Sequence, residues 1–188
     1  MTVAISEPCV SKDIIFGRQF RELEEGFWKL GIEGCLLRLP FFMDNILHFV
    51  WPIQANGEFR APLSPSKKFS PIALVDVAQA YAAIIGNPRK HSKQSYSLYS
   101  DSVTYLDVED ELRSVTRSNK VSFVQMTPEE GVEAFKSYGS PDWEAKGIVE
   151  LFGLAEEQDP SMVSSDTATL RGIIGRKPTS LKAWVALN

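Results

Sequence analysis

Side chains able to carry chemistry are sparse in these 188 residues. Two histidines and two cysteines are present. Cys9 and Cys35 lack C-x-x-C spacing and have no histidine pair beside them, so neither a zinc site nor a thioredoxin-type motif can be built from them. They read as unrelated thiols, with Cys35 inside a strand. His48 falls in an apolar helical stretch and reads as a core or interface histidine. His91, between Lys90 and Lys93, reads as a solvated loop residue. No H-E-x-x-H motif or acidic cluster suggests a metal, and no G-x-S-x-G elbow marks a nucleophilic serine. A dinucleotide fingerprint needs glycines at G-x-G-x-x-G spacing, where a tight turn lets backbone N–H groups meet a pyrophosphate at a helix N-terminus. None of the 12 glycines forms that pattern, and no Walker lysine motif stands in for it.

Composition narrows the class. The chain carries 20 basic and 24 acidic residues, a formal charge of −4, and 44% of its residues are hydrophobic. A mild acid excess offers no electrostatic footprint for nucleic acid or an anionic membrane. The chain is long enough to bury a core without disulfide staples. The most apolar region, residues 35–53, is interrupted by Arg38, Asp44 and His48, short of the ~18 uninterrupted apolar residues of a membrane span. Residues 1–13 have no basic head or long apolar run and do not read as a secretory signal. With few cysteines, the expected location is the cytoplasm.

The elements alternate. Residues 2–6 are short and β-prone, ended by Glu7-Pro8. Residues 16–30 place Phe20, Leu23, Phe27 and Leu30 at helical spacing, and Gly31 stops the helix. Residues 34–39 are an apolar run with one Arg, as expected of a strand buried on both faces. Residues 41–50 suit a helix, 57–65 a Pro-rich loop, 76–85 an Ala-rich helix and 94–99 a strand. A helix follows over 105–117 and a strand over 121–126. Thr127-Pro128-Glu129-Glu130 is a capping box with Pro at the first helical position. Helices then follow from Pro141 and over 179–187, while 162–175 is ambiguous. This order predicts an α/β fold with parallel pairing and no linker between independent domains.

Several segments together resemble the NmrA-like family, atypical members of the short-chain dehydrogenase superfamily. The family's "E-x-x-L-x-x-x-G-[IL]", "T-x-L-R" and "P-x-F-M-x-N" correspond to residues 24–32, to Leu36-Leu37-Arg38, and to Pro40-Phe41-Phe42-Met43-Asp44-Asn45. Its "I-x-x-x-D-x-A" corresponds to Ile72 through Asp76 and Ala78. Its "G-R-x-P-x-S" corresponds to Gly175-Arg176-Lys177-Pro178-Thr179-Ser180. The resemblance implies a partial Rossmann-like parallel sheet with a small helical C-terminal lobe: a single domain over 1–188, with 1–100 the Rossmann part and 101–188 a substrate or cap lobe. It makes residues 2–6 the fifth Rossmann strand, so that the nucleotide-binding half would not be among these residues. The family's looser G-x-x-G-x-x-G is absent as well.

The resemblance also supplies the expected site. Pro40, Phe41, Phe42 and Asn45 would face the nicotinamide end of NAD(P), and Phe41, Trp143 and Phe152 would face substrate. Ser6 stands at the catalytic-serine position. The superfamily's Tyr-x-x-x-Lys pair, in which Lys lowers the Tyr pKa, is missing: Ile85, Ser100, Val103, Glu109 and Asp142 stand four residues after the five tyrosines. Arg38 inside an apolar strand suits either an ion pair with a neighbouring helix or an anionic ligand. The functional expectation is a non-catalytic regulator or truncated form unable to bind dinucleotide alone. The alternatives are an NAD(P)H-dependent oxidoreductase and a module that completes its sheet with a partner chain or as a homodimer.

Overall fold

The computed structural model describes residues 1–117 and 120–187. The described strands are β1 (Thr2–Ser6), β2 (Gly34–Arg38), β3 (Glu58–Ala61), β4 (Gln94–Ser97) and β5 (Ser122–Gln125). The helices are α1 (Ile15–Lys29), α2 (Val50–Asn56), α3 (Leu74–Gly86), α4 (Pro88–His91), α5 (Tyr105–Thr116), α6 (Pro128–Ser137), α7 (Asp142–Glu156), α8 (Ala168–Ile174) and α9 (Leu181–Val185). Strands β1, β2 and β4 form one parallel sheet in that order, with Ser6 opposite Arg38 and Arg38 opposite Ser97. Strands β3 and β5 pair in parallel as a separate ribbon. The mixed α/β class and parallel pairing expected from the alternation are those observed, and they match a Rossmann-like arrangement.

Alternation along β2 separates the two faces of the sheet. Cys35 and Leu37 face α3 and α8, where they join Ile72, Val77, Ala80, Ile84, Leu98 and Leu170. Leu36 and Arg38 belong to the other face, where Arg38 meets Glu24 of α1. Leu36 and Leu37 are both fully buried, each contributing roughly 2 kcal/mol relative to an exposed side chain. The second core centres on stacked rings: Tyr105 lies flat on Phe123 at 4.6 Å, and Phe49, Phe59 and Phe69 surround it.

Four expectations change. Helix α1 buries Gly17, Glu24 and Phe27, whereas Leu23 and Leu30 are exposed. The cause is the Glu24–Arg38 contact, which turns Glu24 toward the sheet, together with Gly34, whose missing side chain leaves room for the Phe27 ring. Residues 43–49 wind as a 3-10 helix before α2, and His48 on it is exposed. His91 is buried instead of solvated: α4 turns its ring onto Tyr96, with Nδ1 3.0 Å from the phenol oxygen. Strand β3 forms inside the segment that reads as a Pro-rich loop, because its backbone finds a partner in β5 more than sixty residues later.

Two glycines of α1 play opposite parts. A methyl group at Gly17 would collide with the carbonyl oxygens of Cys9 and Lys12, which the 3-10 turn Pro8–Ser11 brings against the helix. Gly26 has open space around it. Gly17→Ala is therefore expected to lose about 1–3 kcal/mol of stability, and Gly26→Ala to gain about 0.5–1 kcal/mol. Urea unfolding of the two variants checks this, and equal effects would overturn the assignment of Gly17 to a close backbone approach.

Candidate functional site

The carboxyl ends of β1, β2 and β4 are where ligands gather in open parallel sheets. The structure fills this edge with two polar clusters. In the first, Ser6 is fully buried and donates its hydroxyl to Glu24 Oε1 at 2.6 Å. Arg38 donates from Nε to Oε1 at 2.8 Å and from NH2 to Oε2 at 2.6 Å, so the carboxylate is gripped in bidentate fashion. Burial works to raise the Glu24 pKa, but Arg38 and Ser6 together bring it below the usual value. Of the two partners the sequence allowed Arg38, a helix carboxylate is the one present.

The second cluster surrounds Glu7, at the turn out of β1. Its Oε2 is buried without a hydrogen-bond partner. Burial pushes its carboxyl from the ordinary 4.5 up to about 8. The negative charge of Glu7 in turn adds to burial in raising Cys9 and Tyr99, both pushed up to about 12. Over this edge lie residues 158–164, with Asp159 paired to Lys12 and the Tyr99 hydroxyl donating to Ser161 O at 3.0 Å. Burial opposes ionisation of Asp159, but Lys12 and Ser161 hold it below its ordinary value.

The expected site residues are divided by the fold. Pro40 is buried. Phe41 meets Phe69 edge-on at 5.5 Å and Phe152 at 6.4 Å, so two of the three expected substrate-facing rings come together. Phe42 pairs through its backbone with Ile72 and packs against the α3 core. Asn45 is half-buried, its N–H donating to Phe42 O. Trp143 stands half exposed on α7, edge-on to Phe16 at 6.2 Å. It is nine residues from Phe152, roughly 13 Å along the helix axis.

Sequence reasoning passed over Glu7, Lys12, Tyr99 and Asp159. A carboxylate directly before Pro8 at a strand end was the one local signal. The others are brought in by residues far apart in the chain. Among the described residues, no group of three or more His, Cys, Asp or Glu side chains could hold a metal ion, and no helix is long and apolar enough to cross a membrane.

A pyrophosphate cradle does not fit the residues present. Where a Cβ would collide, at Gly17, Gly34 and Gly57, or fit tightly, at Gly131 and Gly147, the space is already filled by protein atoms. The glycines with open surroundings lie within or at the ends of helices and turns, none of them directly after β1, β2 or β4. The turn after β1 instead presents the Glu7 carboxyl, which would repel phosphate when ionised.

No protein-family model matches the chain. It is 27% identical over 161 residues to an NAD(P)H azoreductase from Xenophilus azovorans, a match covering 85% of this chain and 54% of that protein. It superposes on an NADPH-dependent quinone oxidoreductase from Escherichia coli with a TM-score of 0.82 and 23% identity, covering 99% of this chain and 66% of the other. It superposes on NmrA, a negative transcriptional regulator, with a TM-score of 0.70 and 12% identity, covering 97% and 62%. The chain thus spans about half the length of the curated relative and under two thirds of these solved structures. The likeness to NmrA and its reductase neighbours is borne out at the level of the fold.

Two predictions follow the charges. The Glu7 carboxyl holds its proton more tightly in the folded chain than in the unfolded one. Its contribution to stability is therefore full below pH about 4.5, declines as pH rises to about 8, and is flat above. Glu7→Gln should remove that decline from urea-unfolding curves taken across the range, and an unchanged slope would refute it. Arg38→Met leaves Glu24 buried without its cation and should cost about 3 kcal/mol near neutral pH. Because the Glu24 pKa is lowered, the loss should shrink as acid neutralises that carboxylate.

Proposed function

We propose that these 188 residues form the substrate-side part of an NAD(P)-linked reductase fold and do not hold the dinucleotide by themselves. The observation that carries this reading is the carboxyl edge of the sheet, where no glycine turn is available to a pyrophosphate and Glu7 occupies the exit from β1. The names of the similar proteins, a quinone oxidoreductase and an azoreductase, supply the class of acceptor: a conjugated, flat acceptor that would lie against apolar rings. Phe41 and Phe152 are the rings that support such a contact, with Pro40, Phe42 and Asn45 shaping the turn beneath them. Ser6 serves as a positioning residue, since its hydroxyl is buried and committed to Glu24. On this reading the chain alone is a binding or regulatory module, not an enzyme.

A second feature favours a partner. β1 lies at the end of the three-stranded sheet, so among the described residues no strand lies beside one row of its backbone N–H and C=O groups. Ile5 on β1 is 48% exposed, Leu23 on α1 is 42% exposed and Leu30 just after it is 71% exposed. An open strand edge beside exposed leucines is a template for another strand. The occupant that fits is the equally open β1 edge of a second copy of the chain.

Isothermal titration calorimetry with NADPH tests the first claim. No saturable heat is expected up to about millimolar ligand. A micromolar dissociation constant would sink the reading in favour of an oxidoreductase competent on its own. Sedimentation of the wild type and of Leu30→Lys tests the second. Association lost in the variant, with helical circular dichroism unchanged, is the expected result.

A further inference from the structure

Hydrogen bonding fixes which residues of β1 face the open edge of the sheet. Thr2 N–H donates to Glu33 O, and Ser6 O accepts from Leu39 N–H. In a parallel ladder a residue turns its N–H and its C=O to the same side, and the side alternates along the strand. Thr2, Ala4 and Ser6 therefore direct their backbone groups to β2, in the register that sets Thr2 opposite Gly34 and Ser6 opposite Arg38. Val3 and Ile5 turn theirs outward, where no strand lies beside them among the described residues. The side chains divide in step. Val3 packs on the core with α3 and α8, on the face shared by Cys35 and Leu37. Ile5, opposite Leu37 on that face, is exposed at the rim. The face toward α1 carries the small side chains of Thr2, Ala4 and Ser6, and Ser6 there meets Glu24. The strand Thr2–Ser6 contains no Pro and no charged residue, the devices that blunt an edge against pairing.

This pattern is complementary to itself. Two copies related by a two-fold axis perpendicular to the sheet run their β1 strands antiparallel. With the axis at Ala4, Val3 of each copy lies opposite Ile5 of the other, and the two exchange both N–H···O=C bonds as a hydrogen-bonded pair. Thr2 then lies opposite Ser6, and Ala4 opposite its own counterpart, as non-hydrogen-bonded pairs whose backbone groups β2 already holds. Only this register matches all 5 strand residues with strand residues. Centring on Val3 draws Met1 into the ladder. Centring on Ile5 draws in Glu7, ahead of the 3-10 turn that starts at Pro8. In the Ala4 register each exposed Ile5 also gains a β-branched neighbour, Val3 of the other copy, on the same face.

We propose that the chain forms a two-fold dimer in which β1 pairs antiparallel with β1 of a second copy, in the register centred on Ala4. The two three-stranded sheets then join into one, with both α1 helices on the same face. This inference rests on the second-copy reading of the open edge and adds to it the orientation, the register and the residues that bond across the seam.

Single-cysteine cross-linking of the full chain under mild oxidation tests it, alongside sedimentation of the wild type. Cys9 and Cys35 are fully buried, so an introduced thiol is the reactive one. Directly opposed residues have Cβ atoms about 4.5–5.5 Å apart and diagonal ones about 7–8 Å, and only the first lies near disulfide reach. Ala4→Cys should therefore close a disulfide with its own counterpart, in about tenfold or greater excess over Val3→Cys and Ile5→Cys, which are diagonal to theirs. Preferential cross-linking of Val3→Cys or Ile5→Cys would overturn the register and leave association with a second copy standing. A wild type that sediments as a monomer at every concentration would overturn the register and the second-copy reading together. Neither result bears on the NADPH titration. Amide exchange on the wild type reads the same seam if Ala4→Cys does not fold. The Val3 and Ile5 amides should gain protection as concentration rises, while that of Ala4, directed to β2, stays constant. Val3 and Ile5 amides that exchange at intrinsic rates within a dimer would overturn the proposal.

Discussion

A single buried carboxylate, Asp76, ties the two ends of this structure together. It lies on α3 with no exposure to solvent. Ser100 donates to it at 2.6 Å from beyond β4, Arg176 at 2.6 Å, and Thr179 through both its N–H at 2.7 Å and its hydroxyl at 2.8 Å. A buried charge of this kind is stable only when every lone pair is met. The requirement therefore places the segment before α9 against the N-terminal turn of α3, and the end of β4 beside both. Ser100 also accepts from Ala73 N–H, which anchors the turn into α3. The core around Leu98 and Leu170 is assembled around that constraint.

The carboxyl edge of the sheet repeats the same physics with two outcomes. Glu24 is answered by Arg38 and Ser6, and the contact sets the rotation of α1 on the sheet. Glu7 is left unanswered at one oxygen, and its burial shifts it toward the neutral form. The first cluster is structural and insensitive to pH near neutrality. The second carries a proton whose loss costs the fold. The contrast lies in the availability of a cation within reach: Arg38 projects from the middle strand onto Glu24 of α1, whereas Glu7 Oε2 is buried without a hydrogen-bond partner.

Much of the fold was legible from local pattern. The Thr127–Glu130 box caps α6 reciprocally as its spacing implied. The run through Cys35, Leu36 and Leu37 is a fully buried strand. Departures arose where a distant residue outweighed local preference. Leu23 and Leu30 have the helical spacing of a core stripe, yet the pull of Arg38 on Glu24 shifts the buried face. His91 sits between lysines, yet Tyr96 offers its ring a partner. For the site, Pro40 to Asn45 follow β2, and Phe42 there packs against the α3 core. Glu7 and Asp159 went unseen because nothing within the spacing of one element links them.

The sequence by itself determined the alternation of strands and helices, the parallel pairing that alternation requires, the helix caps, and the lack of a glycine turn for a pyrophosphate. These follow from side-chain periodicity, backbone preference and motif spacing, which act within a few residues. Only the tertiary structure decided which charges are paired and which are buried alone. It brought Asp76 to Thr179 and Lys12 to Asp159, separations of 103 and 147 residues, and left Glu7 Oε2 buried without a partner. Pairing depends on distance through space and on the exclusion of water, and neither is set until the chain has packed.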